Sequence, residues 1–143
     1  MKSYSSNEMR RYNHLLREMD AVYHEMSRRL GLSDSAMIVL YTICEHGDGC
    51  PLREICRLCG LPKQTVNSAL RRLEADGVVC LEEADARHKN VLLTEEGKRL
   101  AERTAVRILE TENAIFAAWP REDVEKYLEL TGRFLHDLKE RSQ

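Results

Sequence analysis

The stretch from Pro51 to Thr94 constrains the fold more than any other part of the chain. Leu52 to Cys59 carries apolar residues at Ile55, Cys56 and Leu58, and Gly60-Leu61-Pro62 follows. Lys63 to Asp76 then places Val66, Ala69, Leu70 and Leu73 at the three-and-four spacing of an amphipathic helix. Gly60 and Gly77 stand where a left-handed residue ends each helix. After Gly77, Val78 to Glu82 and Lys89 to Leu93 read as short strands joined by the polar segment Glu83 to His88.

Two short helices about a glycine, followed by a hairpin, is the order of a winged helix-turn-helix. In that arrangement the second helix lies in the DNA major groove. The expected fold class is mainly α with a small β-wing: a winged helix-turn-helix core flanked by long helices at both ends. The N-terminal flank, Ser6 to Leu30, carries the stripe Tyr12, Leu15, Leu16, Met19, Val22, Tyr23, Met26 and Leu30, and Gly31 stops it. Ser33 and Asp34 cap a helix from Ser35 to His46, with Ala36, Val39, Leu40, Ile43 and Cys44 facing inward. Gly47-Asp48-Gly49 then breaks the chain before Pro51, a residue suited to a helix's first turn.

Beyond the hairpin, Thr94-Glu95-Glu96 starts a long helix running to about Ala118, with Leu100, Ala101, Ala105, Ile108, Leu109, Ile115 and Phe116 on one side. Trp119-Pro120 interrupts, and a last helix from Arg121 to about Glu140 carries Val124, Tyr127, Leu128, Thr131, Phe134, Leu135 and Leu138. A chain of 143 residues has little central core for three such stripes, so pairing between two copies is the expected way to bury them. The organisation that follows is one domain over 1–143, with 33–94 as the winged helix-turn-helix and 1–31 and 95–143 as dimerisation helices.

Charge and composition exclude more than they assign. The net charge is −2, yet residues 51–76 hold five basic residues (Arg53, Arg57, Lys63, Arg71, Arg72) against three acidic ones. No apolar run approaches the roughly 20 residues that span a bilayer, and the polar start, Met1 to Asn13, is unlike a signal peptide. A cytoplasmic protein is expected, its five cysteines being thiols. There is no glycine-rich phosphate loop, nucleophile elbow or paired-histidine metal motif, so neither catalysis, a cofactor nor a metal is expected.

Several segments resemble one family. Leu61-Pro62-Lys63-Gln64-Thr65-Val66-Asn67-Ser68-Ala69-Leu70-Arg71-Arg72-Leu73-Glu74 with Gly77-Val78-Val79 resembles the recognition helix and following strand of the MarR-type transcriptional regulators. Asp85-Ala86-Arg87-His88-Lys89 resembles their acid-x-basic-x-basic wing, and Leu93-Thr94-Glu95-Glu96-Gly97 their strand end and next helix. The terminal helices fall where that family places its dimerisation helices. Pro62 replaces a common serine, and His88 stands where an acidic residue often follows the wing arginine.

The resemblance implies a homodimeric, sequence-specific DNA-binding regulator of the repressor kind, released by a small molecule or another signal. Its partners would be a pseudo-palindromic duplex, a second copy of itself and an effector. Helix 63–76 would enter the major groove, where Gln64, Asn67 and Thr65 suit adenine and thymine edges and Lys63 and Ser68 suit edges or phosphates. Arg71 and Arg72 are placed for phosphates. On the wing, 82–90, Arg87 suits a narrow minor groove, Asp85 either orients it or only solubilises the hairpin, and Lys89 meets backbone phosphate. A ligand pocket implied by the family would be lined by Tyr12, Tyr23, Tyr41, Phe116 and Trp119. Two other readings stay open: a winged helix that contacts protein instead of DNA, and a thiol-redox-responsive regulator using Cys56 and Cys59.

Overall fold

The structure, a computed structural model, describes residues 1–47 and 49–143. Its helices begin where the sequence supplies a hydroxyl or a proline. Ser6 caps α1 (Asn7–Arg29), Ser33 caps α2 (Asp34–His46) and Thr94 caps α5 (Glu95–Arg103), each hydroxyl accepting from the backbone N–H three residues on. Pro51, Pro62 and Pro120 instead precede α3 (Leu52–Leu58), α4 (Lys63–Ala75) and α7 (Arg121–Arg141), with no side-chain cap. Gly60 and Gly77 follow α3 and α4 at φ 70° and 76°, the left-handed conformation expected of them.

The sheet departs from the expected pair of strands. β1 (Gly49–Pro51), β2 (Val79–Asp85) and β3 (His88–Leu93) form an antiparallel sheet in the order β1-β3-β2. β1 is too short to show an alternating pattern, and its glycine and proline are poor strand formers. Pairing makes it a strand: Gly49, Cys50 and Pro51 lie opposite Leu92, Val91 and Asn90. Pro51 therefore ends a strand and precedes α3; it is not in the helix's first turn. The expected break at Gly47-Asp48-Gly49 includes Asp48, which lies outside the described residues. The hairpin is also tighter than expected, because Asp85 pairs with His88 and only Ala86 and Arg87 remain in the turn.

The long helix after the wing is two helices. α5 stops at Arg103 and α6 (Ala105–Ala118) starts beyond Thr104, whose φ and ψ of −129° and −91° leave helical geometry. Thr104 is buried, its hydroxyl donates to the Leu100 carbonyl at 2.7 Å, and its N–H bonds Ala101. A threonine bonding the carbonyl four residues back bends a helix, and a uniform apolar stripe does not reveal it.

Two compact units emerge, Met1–Ile108 and Leu109–Gln143. The buried core belongs to the first. Val39, Leu40 and Ile43 of α2, Ile55 of α3, Val66 of α4, Val79 and Val91 of the sheet are all fully enclosed, and Ala101, Ala105 and Ile108 close it. Met37 and Thr42 join the expected inward residues of α2, whereas Cys44 is half-buried. On α3 only Ile55 is buried; Cys56 is half-buried and Leu58 is exposed, because a helix of two turns offers the core one face. Burying an aliphatic side chain is worth about 1.5–3 kcal/mol and a cap about 1 kcal/mol. Val66, Leu70 and Leu73 therefore hold α4 in place without a cap at Pro62.

The second unit contains most of α6, and α7. Its rings Phe116, Trp119 and Tyr127 meet edge to face, at centroid separations of 5.4, 5.7 and 6.1 Å. Among the described residues no helix is long and apolar enough to cross a membrane.

Candidate nucleic-acid interface

The amphipathic pattern of α4 decides which side chains face out. Val66, Ala69, Leu70 and Leu73 are buried, so Lys63, Gln64, Ser68, Arg71 and Arg72 are turned to solvent. Thr65 and Asn67 are half-buried at the edges of that exposed strip. Pro62 provides no hydroxyl, and the first turn contains no acid. The N–H groups of that turn therefore add to the charge of Lys63, a combination that favours anions at a helix start. Arg72 lies 3.8 Å from Asp76, but both are exposed, and such a pair is worth about 0–1 kcal/mol. Arg72 can exchange that partner for a phosphate at little cost.

The wing is closed by Asp85. Ala86 and Arg87 keep negative φ, so the turn is not of the primed type that two-residue hairpins favour. A bulge between Glu83 and Asp85 adjusts the strands, and the Asp85 carboxylate supplies the closing bonds. The Arg87 N–H donates to it at 2.8 Å, and His88 Nδ1 lies 2.7 Å from both of its oxygens. These bonds, the Arg87 N–H first and the His88 ring second, lower the Asp85 pKa. A lowered carboxylate pKa means the brace stabilises the hairpin above the ordinary carboxylate range and weakens as pH falls through the Asp85 value.

Asp85 accepts from the backbone N–H of Arg87, and its side-chain partner is His88. The His88 imidazole completes the brace around Asp85. Among the described residues Lys63, Arg71, Arg87 and Lys89 carry no ion pair.

Wing and helices enclose one open groove of about 720 Å³. Lys63 lines it together with Asp85, Arg87 and Lys89 from the hairpin, while Gln64 to Arg72 continue along α4. The lining residues outside the expected site include Arg53, exposed in the first turn of α3, and His88. Arg53 was legible from the motif, since the first helix of a helix-turn-helix crosses the DNA backbone. His88 was not, because its importance depends on the bond to Asp85. Glu83 also lines the groove.

The other candidate residues fall in both units. Phe116 and Trp119 come together with Tyr127 in the second unit. In the first unit Tyr12 and Tyr23 sit on the exposed face of α1 and Tyr41 is half-buried on α2. Cys56 and Cys59 are half-buried and packed against the core. Cys50 is fully buried in β1, and burial, with Glu54 nearby, pushes its thiol pKa up, away from the reactive thiolate. Among the described residues no three metal-ligating side chains are grouped.

Residues 30–88 match the family model described as "MarR family". No curated protein sequence matches the chain. Solved structures share the fold. A MarR family regulator from Neisseria meningitidis is 21% identical, with a TM-score of 0.77, covering 96% of this chain and 100% of its own. S. aureus MepR, solved as a DNA complex, is 22% identical with a TM-score of 0.68, covering 96% and 99%. The PcaV regulator from Streptomyces coelicolor, solved with its natural ligand, is 19% identical with a TM-score of 0.65, covering 94% and 98%.

Proposed function

Residues 30–88 being a MarR-family winged helix within a fold shared by MarR regulators, we propose that the protein is a homodimeric, sequence-specific DNA-binding transcriptional repressor. The observation that carries this is the groove where the uncapped start of α4 meets the wing, lined by Lys63, Arg87 and Lys89. Among the described residues Lys63, Arg87 and Lys89 make no ion pair, and the buried face of α4 leaves the polar strip Lys63 to Arg72 for a major groove. Arg87 enters the adjoining minor groove, and Arg71, Arg72 and Lys89 grip phosphate. The DNA complex of a similarly folded protein supports this mode.

The dimer is supported by apolar surface. Leu15, Met19 and Val22 of α1 are between 41% and 60% exposed, and Tyr127, Leu128, Phe134, Leu135 and Leu138 of α7 are likewise exposed. Monomers seldom keep so much apolar surface in water, and a second copy offers the same faces. Within that dimer residues 33–94 read DNA, while 1–31 and 95–143 pair, placing half-sites about 10 base pairs apart. A small molecule releases the DNA by biasing the spacing of the two recognition helices. An effector of this kind is supported by the ligand-bound regulator of the same fold.

Selection of bound duplexes from random DNA, followed by a salt titration, tests the function. Affinity for the selected duplex is expected to fall on the order of 10³-fold between about 50 and 200 mM salt. If no duplex outcompetes random DNA, the winged fold serves protein contact and the regulator reading fails. Repeating the selection with Gln64→Ala and Thr65→Ala should change the preferred base at the contacted positions, each residue contributing about 1–3 kcal/mol of discrimination. An unchanged profile for both would remove α4 from base reading.

A further inference from the structure

We infer that His88 is an additional DNA-gripping residue of the wing, one that takes up a proton as DNA binds, so that affinity rises as pH falls. The inference rests on the DNA-binding reading above and adds a regulated contact to it. Its basis is donor chemistry. Asp85, an ionised carboxylate, accepts only, so the bond to Nδ1 at 2.7 Å requires the His88 proton on Nδ1. In the neutral ring Nε2 is then an acceptor and has nothing to offer a phosphate oxygen. Protonation places a second N–H on Nε2 and turns the same ring into a phosphate donor, while Nδ1 stays held by Asp85.

The surroundings couple that proton to DNA. His88 lines the groove and is about half exposed. Sharing the groove with it are Arg53 and Cys56 from α3, Lys63 from α4, Glu83 and Asp85 from β2, Arg87 from the turn and Lys89 beside it on β3. Phosphates entering the groove favour the doubly protonated ring and draw a proton from solvent to Nε2. A complex that holds more protons than its free components gains affinity as pH falls. Histidine is suited to this because its charge ordinarily changes between about pH 5 and 8.

The test uses the full chain and a duplex selected for it from random DNA, with affinity measured at pH 6 and pH 8 at constant ionic strength. The wild type is expected to bind roughly 3- to 10-fold more weakly at pH 8. His88→Asn retains a donor for Asp85 but cannot ionise, and should lose most of this dependence. His88→Arg carries a permanent charge and should bind at pH 8 about as tightly as the wild type at pH 6. Calorimetry in two buffers of different ionisation heat should show proton uptake by the wild type that His88→Asn lacks. His14, His24, His46 and His136 are common to all three proteins and cancel. If His88→Asn keeps the full pH dependence and proton uptake, the inference is overturned while DNA binding stands. If no protein binds a duplex in a salt-sensitive way at either pH, the DNA-binding reading falls, and the inference with it.

Discussion

Replacing Gly97 by alanine is expected to lower the unfolding free energy by about 3 kcal/mol or more, the upper range for overpacking a closed site. A Cβ there would stand 1.9 Å from the Val78 carbonyl oxygen and 2.9 Å from its carbon. The obstruction is backbone, and that backbone is pinned. Thr94 N–H donates to the Val78 carbonyl at 3.1 Å, and the Thr94 hydroxyl donates to the Gly77 carbonyl at 2.6 Å while accepting from Gly97 N–H. Relief would break the junction joining the end of α4, the start of β2 and the cap of α5. Gly132 supplies the control, since nothing lies within 4 Å of a Cβ there. Gly132→Ala should be neutral or stabilising by up to about 1 kcal/mol, as expected for glycine to alanine within a helix. Chemical denaturation of both variants checks the pair, and equal stabilities would refute the packing argument at Gly97.

Arg87→Ala is expected to weaken binding to the selected duplex by about 10- to 100-fold, the value of a charged hydrogen-bonding group lost from an interface. Stability should stay within about 0.5 kcal/mol of the parent. The separation of the two effects follows from the geometry of the turn. Asp85 accepts from the backbone N–H of Arg87, which alanine keeps, and the guanidinium makes no ion pair among the described residues. Anisotropy on the duplex and a thermal melt measure the two quantities independently. Unchanged affinity with intact folding would take the wing tip out of the DNA contact.

Much of the fold was legible because local chemistry and global packing agree. The three-and-four spacing of Val66, Ala69, Leu70 and Leu73 marks α4 in the sequence, and the same four side chains are buried. Ser33 and Thr94 announce their helices because a hydroxyl at that point satisfies a free N–H whatever the rest of the chain does. The glycines after α3 and α4 announce their ends for a similarly local reason.

The misreadings have in common that the deciding partner is distant in sequence or hidden by an unbroken pattern. β1 is a strand because Val91 lies opposite Cys50, and no window around Cys50 contains that fact. The stop at Thr104 lies inside an apolar stripe that continues on both sides.

The site divides along the same line. By itself the sequence determined the exposed strip Lys63 to Arg72 and the cations of the hairpin, because hydrophobic period and charge are properties of adjacent residues. Tertiary structure decided that Lys63, Arg87 and Lys89 line one groove with Arg53, and that Asp85 holds the ring of His88 and the backbone of Arg87. Those relations are distances and bond directions. They exist only after the sheet has folded back against the helices, since charge type and spacing along a chain do not specify which donor will meet which acceptor.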